Sequence, residues 1–218
     1  MNVMQERIAH GAMLLNSHIF QFDFLNDEFT KLPQPLQDII NDLEKRKRLV
    51  IYINPPYAEL GNKRAITRHE LNKRRVANDH LTYSRYFPQL KQAGRELFAQ
   101  FIIRIYNELP NCILAQFSTS KVVQAPNFST FRQHFRAKLL HFFLVPANTF
   151  DNVKGSFPIG FFIWDLKNRN DIFSEAIGNV YDGNGEFLFQ KRVGIAEDFR
   201  SINEWVFPTM KQGNSYRI

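Results

Sequence analysis

The densest chemistry in the chain lies in four consecutive residues, Asn54, Pro55, Pro56 and Tyr57. The two prolines lack a backbone N–H and stiffen the chain, while their carbonyls stay available as acceptors. Asn54 adds an amide oxygen, and Tyr57 adds a flat aromatic face. Together they suit a planar group with an amino substituent: two acceptors for its hydrogens and a ring to stack on. Taken alone, Asn-Pro-Pro-Tyr is a strand end with a proline turn. After a buried apolar strand in an α/β pattern, the binding reading is favoured.

That strand is Leu49 to Ile53, a short continuous apolar run of the kind buried on both faces. Upstream, Ile19 to Leu25 is an aromatic-rich run that predicts another strand, and Leu36, Ile39, Ile40 and Leu43 follow at helical spacing behind Pro35. Downstream, 61–88 is polar, basic and without clean periodicity, which predicts a mobile excursion. Leu97, Phe98, Phe101, Ile102, Ile105 and Leu109 mark one face of a strong helix that Pro110-Asn111 ends. Cys112 to Phe117 predicts a second buried strand. Phe128, Phe131, Phe135 and Leu139 share a helix face, and Phe142 to Val145 and Pro158 to Trp164 predict further strands. Asp182-Gly183-Asn184-Gly185 sits between Val180-Tyr181 and Phe187-Leu188-Phe189, a hairpin signal. Alternating strands and helices predict an α/β fold with a mostly parallel sheet and an antiparallel C-terminal strand or hairpin. In open sheets of this kind, ligands sit at the carboxyl ends of the strands, where Asn54 falls.

Composition narrows the partners. The chain has 218 residues, 28 Lys+Arg against 21 Asp+Glu, and a net charge of +7, which favours an anionic partner such as nucleic acid. Hydrophobic residues at 44% exclude disorder as the main state. The 22 phenylalanines belong mostly to the core but also make base stacking possible. With one cysteine, Cys112, no internal disulfide can form, which points to a reducing, cytoplasmic setting. The longest apolar stretch is far short of the roughly 20 residues a membrane helix needs, so no membrane partner is expected. Glu6 and Arg7 near the N-terminus argue against a secretory leader. The histidines show no metal-ligand spacing, and no metal site is expected.

Ile53-Asn54-Pro55-Pro56-Tyr57 resembles the catalytic motif of amino-group methyltransferases that use S-adenosylmethionine, above all the adenine-specific (N6) DNA methyltransferases of restriction–modification systems. Phe20-Gln21-Phe22-Asp23-Phe24-Leu25 resembles the strand whose acidic residue meets the cofactor's adenine. Asn148-Thr149-Phe150, followed by Phe157 to Asp165, resembles the family's later aromatic motif and strand. The resemblance implies a partial Rossmann-like catalytic domain over 1–170, with 171–218 as a C-terminal hairpin and tail extension. It implies that an adenine leaves the duplex stack and enters a pocket. There Tyr57 stacks on the base, Phe150 packs from another side, and Asn54 and the Pro55 carbonyl, flanked by Pro56, accept from the exocyclic amine. It implies S-adenosylmethionine contacts at Asp23 and Phe24, although an Asp in such a run equally caps a loop. DNA is the implied partner, with Lys63, Arg64, Arg68, Lys73, Arg74 and Arg75 placed for phosphate contact.

Such catalytic domains open with a strand and a glycine-rich loop for the cofactor. Here Gly11 is the only glycine before Gly61. The expectation is therefore a fragment, or part of a longer or split enzyme, with a sheet edge exposed at Leu49 to Ile53 that invites self-association or a partner chain. Two alternatives keep part of this reading: a methyltransferase for RNA adenine or protein glutamine, and a non-catalytic DNA-binding or interaction remnant.

Overall fold

The computed structural model describes residues 2–11, 13, 15, 18–56, 79–150 and 157–195. Helix α1 covers Asn2–Ala9, α2 Gln34–Asn41, α3 Leu43–Arg46, α4 Leu81–Leu90, α5 Leu97–Glu108, α6 Lys121–Gln124 and α7 Ser129–His134. The strands are β1 Val50–Ile53, β2 Ile113–Thr119, β3 Lys138–Pro146, β4 Pro158–Asp165, β5 Glu175–Tyr181 and β6 Phe187–Gly194. They form one six-stranded sheet in the order β1-β2-β4-β3-β5-β6.

β1 pairs parallel with β2, and β3 parallel with β5. β4 is antiparallel to both β2 and β3, and β6 is antiparallel to β5. Four strands thus run one way and two run back, a mixed α/β sheet with the C-terminal hairpin that the Asp-Gly-Asn-Gly signal predicts. The return at β4 has a plain cause. Parallel neighbours need a crossover of a dozen or more residues, usually a helix. The segment between Pro146 and Pro158 is shorter than that and has no helical pattern, so β4 folds back beside β3. In the C-terminal turn, Asp182 Oδ1 accepts from the N–H groups of Asn184 and Glu186 at 2.8 and 2.9 Å. Gly185 takes the left-handed φ of 86° that the turn requires.

Many of the phenylalanines fill one face of the sheet. Leu114, Phe142, Leu144, Phe162 and Trp164 point into a core closed by Phe98, Ile102 and Ile105 of α5 and by Phe128, Phe131 and Phe135. Rings meet there in stacked and edge-on pairs: Phe98–Phe128 at 5.6 Å, Phe142–Phe162 at 5.6 Å and Phe135–Trp164 at 5.0 Å. The opposite face carries a smaller cluster of Val145, Ala147 and Ile159 with Phe117, Phe143, Phe150 and Tyr181. Cys112 is buried just before β2, and burial pushes its thiol up to about 11, so it behaves as a core residue.

Four expectations from the sequence need correction. The Leu49 to Ile53 run is not buried on both faces: β1 ends the sheet's order, and Val50 and Tyr52 are 58% and 65% exposed. An apolar run reports composition, whereas burial depends on a neighbour being present. Ile19 to Leu25 is not a strand, because Asp23 and Asn26 turn the chain there. The helix through Phe128 stops at His134, so Leu139 lies on β3 instead; Phe135 already has a non-helical ψ of 85°. The basic excursion does not extend to Pro88, since Leu81–Leu90 is helical despite a proline inside it. That helix is anchored from outside its own sequence pattern. Leu25 O accepts from both the N–H and the hydroxyl of the buried Thr82, and Asn26 Oδ1 accepts from Leu81 N–H.

Candidate functional site

β1 ends at Ile53, opposite Gln116 of the parallel β2. Asn54 leaves the sheet exposed, Pro55 turns inward and is buried, and Pro56 is exposed again. Burial of the Pro55 ring fixes where Asn54 stands. The three residues thus lie at the carboxyl end of the sheet, where ligands of open α/β folds bind.

The neighbouring end of β2 is polar where a core strand would be apolar. Gln116 and Ser118 are fully buried, and Gln116 Nε2 lies 3.4 Å from Ser118 Oγ. Gln116 Oε1 and Thr119 Oγ1 are buried with no hydrogen-bond partner among the described residues. An unsatisfied buried polar group costs about 1–3 kcal/mol, a cost that functional sites often carry. Just beyond, Lys121 of α6 pairs with Glu96 at 2.5 Å. Glu96 is a buried carboxylate at the N-terminus of α5, where a negative charge is favourable. Sequence reasoning missed this group. The available signal was Gln116, an amide inside an otherwise apolar run.

An aromatic wall borders the same end. Tyr52 lies 6.2 Å from Phe117 and 5.8 Å from Phe161, ring centre to ring centre. Phe117 meets Phe150 edge-on at 5.2 Å. Phe150, half-buried after β3, is therefore linked through one ring to the strand that delivers Asn54. Tyr57, the other proposed stacking residue, lies outside the described residues, as do Lys63, Arg64, Arg68, Lys73, Arg74 and Arg75.

Asp23 and Phe24 sit in a turn docked on α5. Asp23 Oδ1 accepts from Leu25 N–H at 3.1 Å, and Oδ2 accepts from Asn26 Nδ2 at 2.8 Å. The Asn26 hydrogen bond is the largest cause holding the Asp23 carboxyl below its ordinary range, with the N–H groups of Leu25 and Asn26 adding to it. Phe24 stacks on Phe101 at 5.0 Å, and the Arg104 guanidinium lies 5.3 Å from its centre. The Phe24 ring is thus engaged within the molecule, whereas Asp23 is exposed and its oxygens retain acceptor capacity.

A depressed folded-state pKa gives stability that is present above the unfolded value and lost as pH falls through the folded one. Because Asp23 is exposed and its interactions are screened by solvent, Asp23→Ala is expected to lower stability by no more than about 1 kcal/mol near pH 6. The gap between variant and wild type should shrink below about pH 4, where the unfolded carboxyl protonates. Urea midpoints at pH 6 and pH 3 check this, and an equal gap at both would remove the turn from Asp23's role.

No family model and no curated protein matches the chain. Solved structures similar to it include restriction–modification proteins. The type IIL restriction-modification enzyme MmeI, solved in complex with DNA, is 18% identical with a TM-score of 0.47 over 81% of this chain. A modification subunit of a putative type I restriction enzyme from Vibrio vulnificus is 13% identical, with a TM-score of 0.39 over 79%. The type I methyltransferase subunit from Streptococcus thermophilus is 19% identical, with a TM-score of 0.37 over 88%. The chain spans 21%, 34% and 36% of those proteins' lengths, respectively. Among the described residues, no helix is long and apolar enough to cross a membrane.

Proposed function

We propose that this chain carries the base-binding half of an adenine-N6 DNA methyltransferase that uses S-adenosylmethionine. The observation that supports it best is the position of Asn54, exposed beside a buried Pro55 at the carboxyl end of β1, next to the polar end of β2. The exocyclic amine of adenine is a poor nucleophile because its lone pair is delocalised into the ring. Asn54 and the Pro55 carbonyl accept its two hydrogens, which favours a pyramidal nitrogen and directs the lone pair outward. Pro55 and Pro56 have no N–H to compete for those acceptors. Tyr57 supplies the stacking face for the extruded base, and Phe150 closes a second side. Positioning and electrostatics do most of the work, and no covalent enzyme intermediate is required.

S-adenosylmethionine, when bound, supplies an already activated methyl group. Asp23 fits the adenine amino group of that cofactor, because its carboxylate is exposed and can accept a further donor. Phe24 fits less well, since Phe101 and Arg104 flank its ring. The basic residues Lys63 to Arg75 give the DNA backbone its counter-charge in this reading.

Base extrusion is the cheapest step to observe. With 2-aminopurine in place of the target adenine, the chain is expected to change the probe's emission as the base unstacks. Asn54→Ala should keep DNA binding but weaken that response. A probe that stays stacked at saturating protein would count against the base pocket.

A second reading draws on the edge position of β1 and its exposed Val50 and Tyr52. Among the described residues no strand pairs with the outer side of β1, where a strand from a second copy or from a partner chain could add to the sheet. Small-angle scattering over a concentration series is expected to show self-association. A monomer throughout would leave a different partner chain, not a second copy, as the strand donor.

A further inference from the structure

A cleft of about 170 Å³ lies away from Asn54, lined by Ser129, Arg132, Gln133, Arg136, Ile172, Phe173 and Ile195. It sits where α7 leads into β3, where the chain enters β5, and where β6 ends. β3 and β5 run with β1, so the cleft opens at the amino end of the sheet, opposite the site described above.

Arg132, partly buried, and Arg136, exposed, are held differently from several other cations of the chain, although Arg169, which donates to the Tyr106 carbonyl, is likewise held by a main-chain acceptor. Arg85 pairs with Glu28 and Glu108, Arg104 with Glu108, and Lys121 with Glu96. Among the described residues, Arg132 and Arg136 have no carboxylate partner and no acid lines the cleft. Glu175, close in sequence, is taken by Arg192 at 3.4 Å. Arg132 instead donates Nη1 to the carbonyls of Ala125 and Val122 at 2.9 and 3.4 Å, and Arg136 donates Nε to the carbonyl of Gln133 at 3.1 Å. Main-chain acceptors thus fix both guanidinium groups without neutralising them. Burial disfavours the charge on Arg132, and no carboxylate among the described residues offsets that cost.

We infer that this cleft binds a single phosphate group between Arg132 and Arg136, with the Ser129 hydroxyl and the Gln133 amide as further donors. Guanidinium forks match phosphate oxygens in pairs, and fixing the forks in advance lowers the entropic cost of binding. The size agrees: drug-sized ligands need roughly 300–1,000 Å³, so this cleft takes one anionic group while the rest of its bearer stays outside. That phosphate comes from one of two sources, a free phosphate or phosphomonoester, or the backbone of a nucleic acid. The inference stands apart from the methyltransferase reading, because none of its residues belongs to the site at Asn54.

Calorimetric titration of the full chain with inorganic phosphate, and separately with a 20-base-pair duplex at several salt concentrations, tests it. Arg136→Gln is the informative variant because Arg136 is exposed and its loss should not unfold the chain. Arg132→Gln goes beside it, with thermal melts of both. Wild type is expected to bind at least one of the two probes, with each variant weakening it tenfold or more. If the duplex is the probe affected, the slope of log K against log salt should fall by about 0.9 for a lost phosphate contact, and the source is the backbone. If only inorganic phosphate is affected, the source is a free phosphate. Wild type binding neither probe, or a folded Arg136→Gln protein binding both as tightly as wild type, overturns the proposal.

Discussion

Asn54→Ala is expected to slow methyl transfer to DNA by a factor of about 10²–10³, in line with removing one preorganised hydrogen-bonding group from an active site. The reasoning is local. In the proposed function Asn54 supplies one of two acceptors for the amine, and the second, the Pro55 carbonyl, belongs to the main chain and survives the substitution. Stability should change by no more than about 0.5 kcal/mol, because Asn54 is exposed. Single-turnover transfer from labelled S-adenosylmethionine, with a thermal melt of the same sample, separates the two effects. A variant as fast as wild type would remove Asn54 from the chemistry. A variant that loses activity together with its melting transition would make the residue structural.

Arg104→Ala is expected to cost about 3 kcal/mol, at the lower end for breaking a buried ion pair. Arg104 is almost fully buried and joins four things at once. It donates to the carbonyl of Phe24, to the carbonyl of Asp27 at 2.6 Å and to Glu108 at 3.2 Å. Its guanidinium also lies 4.6 Å from the centre of the Phe29 ring. Glu108 retains Tyr86 at 2.8 Å and Arg85 at 3.2 Å, which is why the cost is not higher. What the substitution strands is the turn at 23–29, two of whose carbonyls lose their donor. For a chain of this size the melting temperature should fall by about 6–12 °C. Lys at the same position should recover only part of the loss, since an ammonium cannot reach both carbonyls in a fixed fork. A drop of under 1 kcal/mol would mean that α5 does not depend on this group.

Arg104 also shows where the sequence stopped being informative. The strong helix at Leu97–Glu108 was legible from its apolar spacing, and so were the hairpin at Asp182 to Gly185 and the strands at Ile113 and Pro158, because each carries a local period or turn signal. A buried arginine within that helix carries no such signal, for the carbonyls of Phe24 and Asp27 that it serves lie about 80 residues upstream. The same holds for β4, whose direction follows from the short return after Pro146 rather than from its own residues. The 19–25 run failed for the opposite reason: its aromatics suggested a strand, but Asp23 and Asn26 form side-chain hydrogen bonds that outweigh β propensity. At the candidate site, the Asn54-Pro55-Pro56 element was visible because prolines after an apolar strand are unusual. Gln116, Ser118 and the Glu96–Lys121 pair become a group only when β1 and β2 lie side by side.

In the proposed function, Asn54, Pro55 and Tyr57 hold an adenine amine for methylation. Nucleoside analysis of duplex DNA incubated with the chain and methyl-labelled S-adenosylmethionine tests it most directly. Label is expected on the N6 atom of adenine, with at least a hundredfold less from Asn54→Ala. Label on any other atom, or no label above background from a folded chain shown to bind both the DNA and S-adenosylmethionine, would contradict it.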